Sequence, residues 1–460
     1  MTACDEVLEL RPQARCAITR DGELHVADAL HDERLGHVSP SRKALMKRLA
    51  TGPVSRSGLL GTGDDGDELA ELITRLASGG WLSIEVRRQG TPLYTLVPLR
   101  PPPGPPPATV PAGMVLSRFA LLHRDRDGGG MAVESARSWC SMVVHDPGLL
   151  GVLADPSGTA GEEGPVGERL RRDLRWAGFA VAGGEEEHDL RLCQWGAHEL
   201  WFHDRSRLVR GHPRVPFGDT WWARDRFPAL PADHEPFSGR ETELCRPDLQ
   251  ALRRGDPPLT AVVEDRRSIR RHDDRHPLTA RQLGEFLFRC ARDRHTRVAD
   301  GVDYVSRPYP AGGSAYELEI YPLVRRVTGI EPGLHHYDPR RHRLRLVRPM
   351  TRDVRRLLEI GARCARTEQE PQTLLIISAR FGRVMWKYQE MAYALILKDA
   401  GVLTQTMYLV ATAMGLAPSA IGGHGAAEFA RATGLDPMVE GSVGEFILGS
   451  PAPGQADEPA

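Results

Sequence analysis

The 460-residue chain carries 60 Lys and Arg against 61 Asp and Glu, so no one-signed field is available to gather nucleic acid or an anionic membrane surface. Its 7 cysteines, Cys4, Cys16, Cys140, Cys193, Cys245, Cys290 and Cys364, are odd in number and widely spaced, which argues against a disulfide framework or a zinc site. Asp5, Glu6 and Glu9 interrupt any apolar run at the start, no membrane span is legible, and a reduced cytoplasmic protein of roughly two to four domains is expected.

Residues 1–100 read as one unit. Short strands at 16–18 and 24–26 flank the Asp21-Gly22 turn, and Ser39 or Ser41 caps a helix at 41–50. A second helix at 67–78 places Leu69, Leu72, Ile73 and Leu76 at helical spacing and stops at Gly79-Gly80. Strands at 81–86 and 92–97 then meet at Gln89-Gly90. Helices followed by a two-stranded wing describe a winged helix. The run PPPGPPPATVP marks a stiff linker at 101–112. Residues 113–210 repeat the plan, with strands at 119–122 and 131–133 around Gly128-Gly129-Gly130, helices at 147–154 and 166–177, and a strand at 178–181. Phosphate binding needs clustered cations, and the first candidate recognition helix has only Arg75 against Asp67, Glu68 and Glu71, while the second has Arg169, Arg171, Arg172 and Arg175 against Glu168 and Asp173, so DNA is not the favoured reading. A peptide added along the wing edge fits as well or better.

Residues 211–258 are rich in proline and tryptophan with little periodicity, and read as an extended connector. His198, Glu199 and His203 fail the zinc-protease pattern, because the second histidine falls one place beyond i+4. Residues 259–452 read as a single α+β unit, with helices at 260–265, 279–292 and 351–365 and strands at 318–327, 334–337, 344–347, 372–379 and 443–448. The run 386–414 lacks proline and has a single internal glycine, Gly401. It forms one helix, or two joined near 399–401. Its second half is apolar on nearly every face apart from Thr404, Gln405, Thr406 and Thr412, so it is buried within a domain or against another subunit.

Four stretches of this half carry chemistry. Arg266, Arg267, Ser268 and Arg270 offer three guanidiniums and a hydroxyl, suited to a phosphate. In Arg307-Pro308-Tyr309-Pro310-Ala311-Gly312-Gly313-Ser314, prolines fix the chain and glycines let backbone approach something flat. Lys387 and Tyr388 are adjacent titratable groups at the start of the long run, and 417–425, APSAIGGHG, is a glycine-rich exit. Singly, each has a plain structural reading: a solvated loop, a tight turn, a surface lysine on a core helix.

In this order the four stretches resemble the flavin-dependent nitroreductase fold, an α+β, dimeric, FMN-binding domain. More narrowly, they resemble SagB/McbC-type azoline dehydrogenases, which oxidise thiazoline and oxazoline rings in ribosomally made peptides. A fainter likeness covers the N-terminal half, where cyanobactin oxidases carry winged-helix peptide clamps. The resemblance implies that Arg266, Arg267, Ser268 and Arg270 hold the FMN phosphate. It implies that Pro310, Ala311, Gly312 and Gly313 line the flavin ring, with Gln405 in the cofactor set and Ser419, Ile421, Gly422 and Gly423 on the other side. Lys387 and Tyr388 fall on a catalytic pair carried by the central helix. Ala311 stands where the family has serine, and Gly449-Ser450-Pro451 lacks the basic residues many nitroreductases place there, so the phosphate rests more heavily on the arginine run.

The resemblance also implies a homodimer with two FMN, a precursor peptide with leader and azoline-bearing core, and a cyclodehydratase partner, with no metal, nucleic acid or membrane. Reoxidation by oxygen is expected, since no G-x-G-x-x-G follows a strand. Making an azole removes one hydride and one proton. A tyrosine with its ordinary pKa of about 10 is a poor base at neutral pH, and a neighbouring lysine cation favours the phenolate. Tyr388 then removes the proton while Lys387 tunes it, or Lys387 is itself the base. Two other readings are an NAD(P)H nitro- or quinone reductase, which would need no peptide clamp, and a non-catalytic leader-binding scaffold, against which the intact Lys387-Tyr388 pair argues.

Overall fold

The computed structural model describes residues 4–12, 14–28, 31–59, 66–125, 130–158, 164–207, 216–423 and 425–454. Gly128 and Gly129 of the expected turn lie outside them. The chain divides into two units, Met1–Pro216 and Phe217–Ala460.

In the first unit the two expected helices form at Pro40–Thr51, capped by Ser39, whose side chain accepts from the Arg42 N–H, and at Gly66–Ser78. The hairpin follows as Leu82–Arg88 and Thr91–Pro98, turning through Gln89 and Gly90 at φ 53° and 80°, the left-handed pair a tight hairpin favours. The expected boundary at the proline run is not a boundary between cores. Thr91–Pro98 pairs antiparallel with Cys140–Val144, so strands from both halves form one seven-stranded sheet. Apart, each half would expose an edge strand with unpaired backbone groups. Joined, they enclose a single core running from Leu8 to Ala180. Across it the buried Tyr94 hydroxyl donates to Asp173 at 2.7 Å, and Arg169 spans Asp173 at 2.8 Å and Glu6 at 2.6 Å.

The second unit is built on an antiparallel sheet in the order Glu241–Glu243, Arg343–Pro349, Gly333–Asp338, Leu318–Val324, Thr373–Arg380, Glu440–Gly449, Ala417–Ile421. Leu318–Val324 and Thr373–Arg380 are buried at every position, as near-continuous apolar runs covered on both faces should be. Leu318, Ile320, Leu375 and Ile377 pack with helices Ala280–Ala291 and Ala392–Ala413. Tyr321, Leu323, Leu374 and Ile376 pack on the other face with Arg352–Cys364 and Ala426–Thr433. The connector belongs to this unit: Glu241–Glu243 forms an edge strand, and Gly218–Asp219 pairs with Tyr388–Gln389.

The long run resolves into a single helix, Ala392–Ala413, continuous through Gly401. Ile396, Leu403, Met407 and Ala411 face the sheet, whereas Tyr393 and Leu397, each 39% exposed, stand on one border of the open face and Val402, 37% exposed, on the other, half a turn from Tyr393. The second half is therefore buried on one side only.

Candidate active site

The Lys387-Tyr388 pair does not sit on the central helix. A short helix ends at Met385, Tyr388–Gln389 is extended, and Glu390, at φ 61°, turns the chain before the helix starts at Ala392. The cause is non-local. The backbone N–H groups of Thr220 and Trp221 both donate to the Lys387 carbonyl, at 3.2 and 3.0 Å. The Thr220 hydroxyl donates to the Gln389 side chain at 2.8 Å. The Trp222 indole donates to the Met385 carbonyl at 2.6 Å, and the Trp386 indole to the Phe227 carbonyl at 2.8 Å. Partners 159 to 169 positions away thus override the helical bonds that local propensity would form.

The glycine-rich loop meets the pair directly. Gly313 has φ 58°, and a Cβ there would fall 2.5 Å from the Tyr388 hydroxyl and 3.4 Å from the Lys387 amine. Only glycine lets Tyr388 lie against this backbone. Ser314 and Tyr316 also take positive φ, 55° and 45°, strain of order 1–3 kcal/mol each that the surroundings must hold. Gly312 N–H donates to the Asp399 carboxylate at 2.8 Å. Buried Arg383 grips the Ala315 carbonyl at 2.6 Å, the Leu230 carbonyl at 2.6 Å and the Asp303 carbonyl at 2.9 Å. Burial, with Arg380 and Arg307 nearby, lowers its pKa to about 10. Glu317 is fully buried behind the loop and faces Asp399. Burial, with the Asp399 carboxylate adding to it, pushes Glu317 up to about 8.

Lys387 is held from the connector side. Its ammonium lies 3.3 Å from the Asp219 carboxylate, 4.4 Å from the centre of the Trp221 ring and 5.1 Å from that of Tyr388. Trp221 has φ 53° and meets Trp386 edge-on at 5.7 Å. A narrow cleft beside the lysine is walled by Trp221, Leu230, Tyr304, Ser314 and Trp386. Sequence reasoning missed Asp219 and Trp221 because it read their stretch as a surface connector. The density of tryptophan in a stretch without periodicity was the available signal.

A second cluster forms at the other end of the helix. Tyr408 accepts the Ala420 N–H at 2.7 Å, its hydroxyl lies 2.7 Å from that of Ser268, and the Arg266 guanidinium sits 5.3 Å from its ring. Ile269 N–H donates to the Pro418 carbonyl at 2.7 Å. The arginine run and the 417–421 strand are thereby one structure, with Ser419 buried and Ile421 and Gly423 partly exposed. Among the described residues neither Arg266 nor exposed Arg270 is paired with a carboxylate, and Arg266 with the Ser268 and Tyr408 hydroxyls beside it makes a donor set that fits a phosphate monoester. Gln405 is exposed on the helix, and Gly422 is exposed at the end of the strand.

The structure therefore brings the four motifs together as two pairs rather than one. Asp399 marks the loop-and-lysine pair and Tyr408 the arginine-and-turn pair. Nine residues separate them, about 13.5 Å along the helix and about half a turn out of register. Within one chain the pairs sit on opposite shoulders of the helix.

This arrangement matches known proteins. The nitroreductase family model matches residues 263–450, and the cyanobactin oxidase ThcOx model matches residues 114–212. The Methanocaldococcus jannaschii protein MJ1384, named as a nitroreductase, is 30% identical over 184 residues, 40% of this chain and 85% of that one. The chain belongs to the nitroreductase family, and so to the flavin-type oxidoreductases. A nitroreductase match and a ThcOx match in one chain support the resemblance of the motifs to SagB/McbC-type proteins. The trifolitoxin-processing protein TfxB of Rhizobium leguminosarum bv. trifolii is 27% identical over 149 residues, 32% of this chain, which spans only 40% of TfxB. Among solved structures, the E. coli microcin synthetase McbBCD complex with truncated pro-MccB17 bound is similar at 21% identity and a TM-score of 0.34, over 50% of this chain and 91% of that one.

Proposed function

We propose that the protein oxidises thiazoline or oxazoline rings to thiazoles or oxazoles in a ribosomally made peptide, with FMN as cofactor. The observation that carries this reading is the Lys387-Tyr388 pair lying against the glycine backbone at Gly313. The likeness to a trifolitoxin-processing protein and to a cyanobactin oxidase supports a peptide substrate. FMN, when bound, supplies a two-electron acceptor for the hydride that leaves the ring. Arg266, Ser268 and Arg270, with Arg267 beside them, would hold its phosphate. The loop at Pro310, Ala311, Gly312 and Gly313 and the turn at Ser419, Ile421, Gly422 and Gly423 would bound its ring, with Gln405 alongside.

The chain's own residues then manage the proton. Tyr388, as the phenolate, takes it from the ring carbon and becomes a neutral phenol, and until that step the phenolate charge is met by a fixed cation, Lys387, whose ammonium lies 5.1 Å from the ring centre. Because the two motif pairs sit on opposite shoulders of one helix, a complete pocket draws one pair from each of two copies. The open helix face between Tyr393 and Leu397 on one border and Val402 on the other is the surface through which a homodimer would form. In the first unit, the helix pair followed by a hairpin, and the second helix pair with its short strand Ala180–Ala182, serve as winged-helix-like modules for the leader peptide, and a cyclodehydratase supplies the azoline. This chemistry suits the cytoplasm.

The test is direct. Purified protein should be yellow and should remove two hydrogens per ring from an azoline-bearing peptide, as read by mass spectrometry. A colourless protein that stays so after incubation with FMN sinks the proposal. The match to MJ1384 favours a second reading, an NAD(P)H-dependent reductase. Rapid NADH consumption with a nitro or quinone acceptor, and no azole product, would select it.

A further inference from the structure

Resting on that reading of the pair, we infer that Asp219 and Trp221 are positioning residues that fix the Lys387 ammonium as the charge partner of Tyr388. Three groups surround this amine: the Asp219 carboxylate at 3.3 Å, the Trp221 ring face at 4.4 Å and the Tyr388 ring at 5.1 Å. Two of them come from a segment outside all four motifs. All three interact favourably with a cation. The Asp219 and Trp221 backbones are clasped to the same short stretch they serve: Asp219 is in register with Tyr388, and the Trp221 N–H donates to the Lys387 carbonyl. Trp221 occupies a positive φ of 53°, a conformation that aims its ring at the amine and that the clasp sustains.

The two contacts are unequal. Asp219 is 49% exposed, so water screens its ion pair, which contributes up to about 5-fold. The Trp221 face contacts an ammonium whose side chain is 17% exposed, and a cation over an indole contributes about 2- to 30-fold. Trp221 is the main hold and Asp219 the lesser one. Together they assign the roles that sequence left open, with Lys387 the standing charge and Tyr388 the group that accepts the proton. The connector is thereby part of the active site.

Three substitutions test this: Trp221→Leu, which keeps bulk without a π face, Trp221→Phe, which keeps a face, and Asp219→Asn, which keeps shape without charge. With FMN-loaded enzyme and an azoline-bearing peptide, Trp221→Leu should lower kcat by about 2- to 30-fold with KM and bound flavin unchanged. Trp221→Phe should lose less, and Asp219→Asn should lose up to about 5-fold. A packing role alone predicts equal losses for Leu and Phe, and that result overturns the inference. A second measurement needs neither activity nor cofactor. The chain has 4 lysines, Lys43, Lys47, Lys387 and Lys398, so reductive 13C-methylation gives a sparse NMR spectrum. The Lys387 methyl signal, identified by its loss in Lys387→Arg, should be displaced by the indole ring current and should return to the ordinary position in Trp221→Leu. An undisplaced signal in the unsubstituted protein overturns the inference even where a variant fails to fold. Lys387→Ala separates the levels: if it still forms azoles at the full rate, the reading of the pair falls and this inference with it. If it is inactive while Trp221→Leu matches the parent, only the positioning by the connector falls.

Discussion

The carboxyl of Glu317 faces that of Asp399, and Asp399 in turn accepts the backbone N–H of Gly312. Two buried acids behind one glycine loop cannot both be charged without cost, and neither Glu317 oxygen receives a hydrogen bond from a protein donor. Burial, reinforced by Asp399, raises Glu317 from 4.5 to about 8, and burial raises Asp399 as well. Burial therefore favours the neutral form of Glu317, which leaves the Asp399 carboxylate to hold the loop through the Gly312 N–H.

A raised pKa gives a signed prediction. Protonated Glu317 contributes stability that is complete below its ordinary value and is lost as pH rises through about 8. The melting temperature of the parent should fall between about pH 5 and about pH 9, and Glu317→Gln, neutral throughout, should show a shallower fall. Identical slopes in a thermal-melt series would count against a protonated Glu317.

Gly313→Ala places a methyl 2.5 Å from the Tyr388 hydroxyl at a φ of 58°. The left-handed backbone alone costs about 1–2 kcal/mol, and Tyr388 must also move, so azole formation should fall sharply. Tyr388→Phe removes the atom in the way. The double variant should then be less destabilised than the two single losses added together, as measured by chemical denaturation. Strict additivity would mean Tyr388 does not press on this loop.

Tyr408→Phe removes the acceptor of the Ala420 N–H and the partner of Ser268. An unsatisfied buried donor costs about 1–3 kcal/mol. Because the same hydroxyl ties the arginine run to the final turn, flavin titration should show weaker FMN binding alongside the lower stability.

Arg266→Ala and Arg270→Ala should each weaken FMN binding by about 10- to 100-fold, the worth of a charge-assisted bond to phosphate. Riboflavin, which lacks the phosphate, should bind both variants as it binds the parent. An equal loss for both ligands in fluorescence titrations would remove the phosphate from this cluster.

What the sequence by itself determined lies in segments whose own residue pattern sets their type. Leu318–Val324 and Thr373–Arg380 were legible as strands and Ala280–Ala291 as a helix, which the structure caps with a Thr279-Gln282 box. The glycine loop and the arginine run were legible because their residue types are special wherever they stand. Tertiary structure alone decided the rest. It joined the halves on either side of the proline run into one sheet, since strand edges find partners regardless of sequence distance. It drew Lys387 and Tyr388 out of the helix, because the Thr220 and Trp221 N–H groups bind the Lys387 carbonyl. It set Asp399 and Tyr408 on opposite shoulders of one helix, and so split the candidate site in two. Periodicity records which face of a segment is buried, but not what buries it.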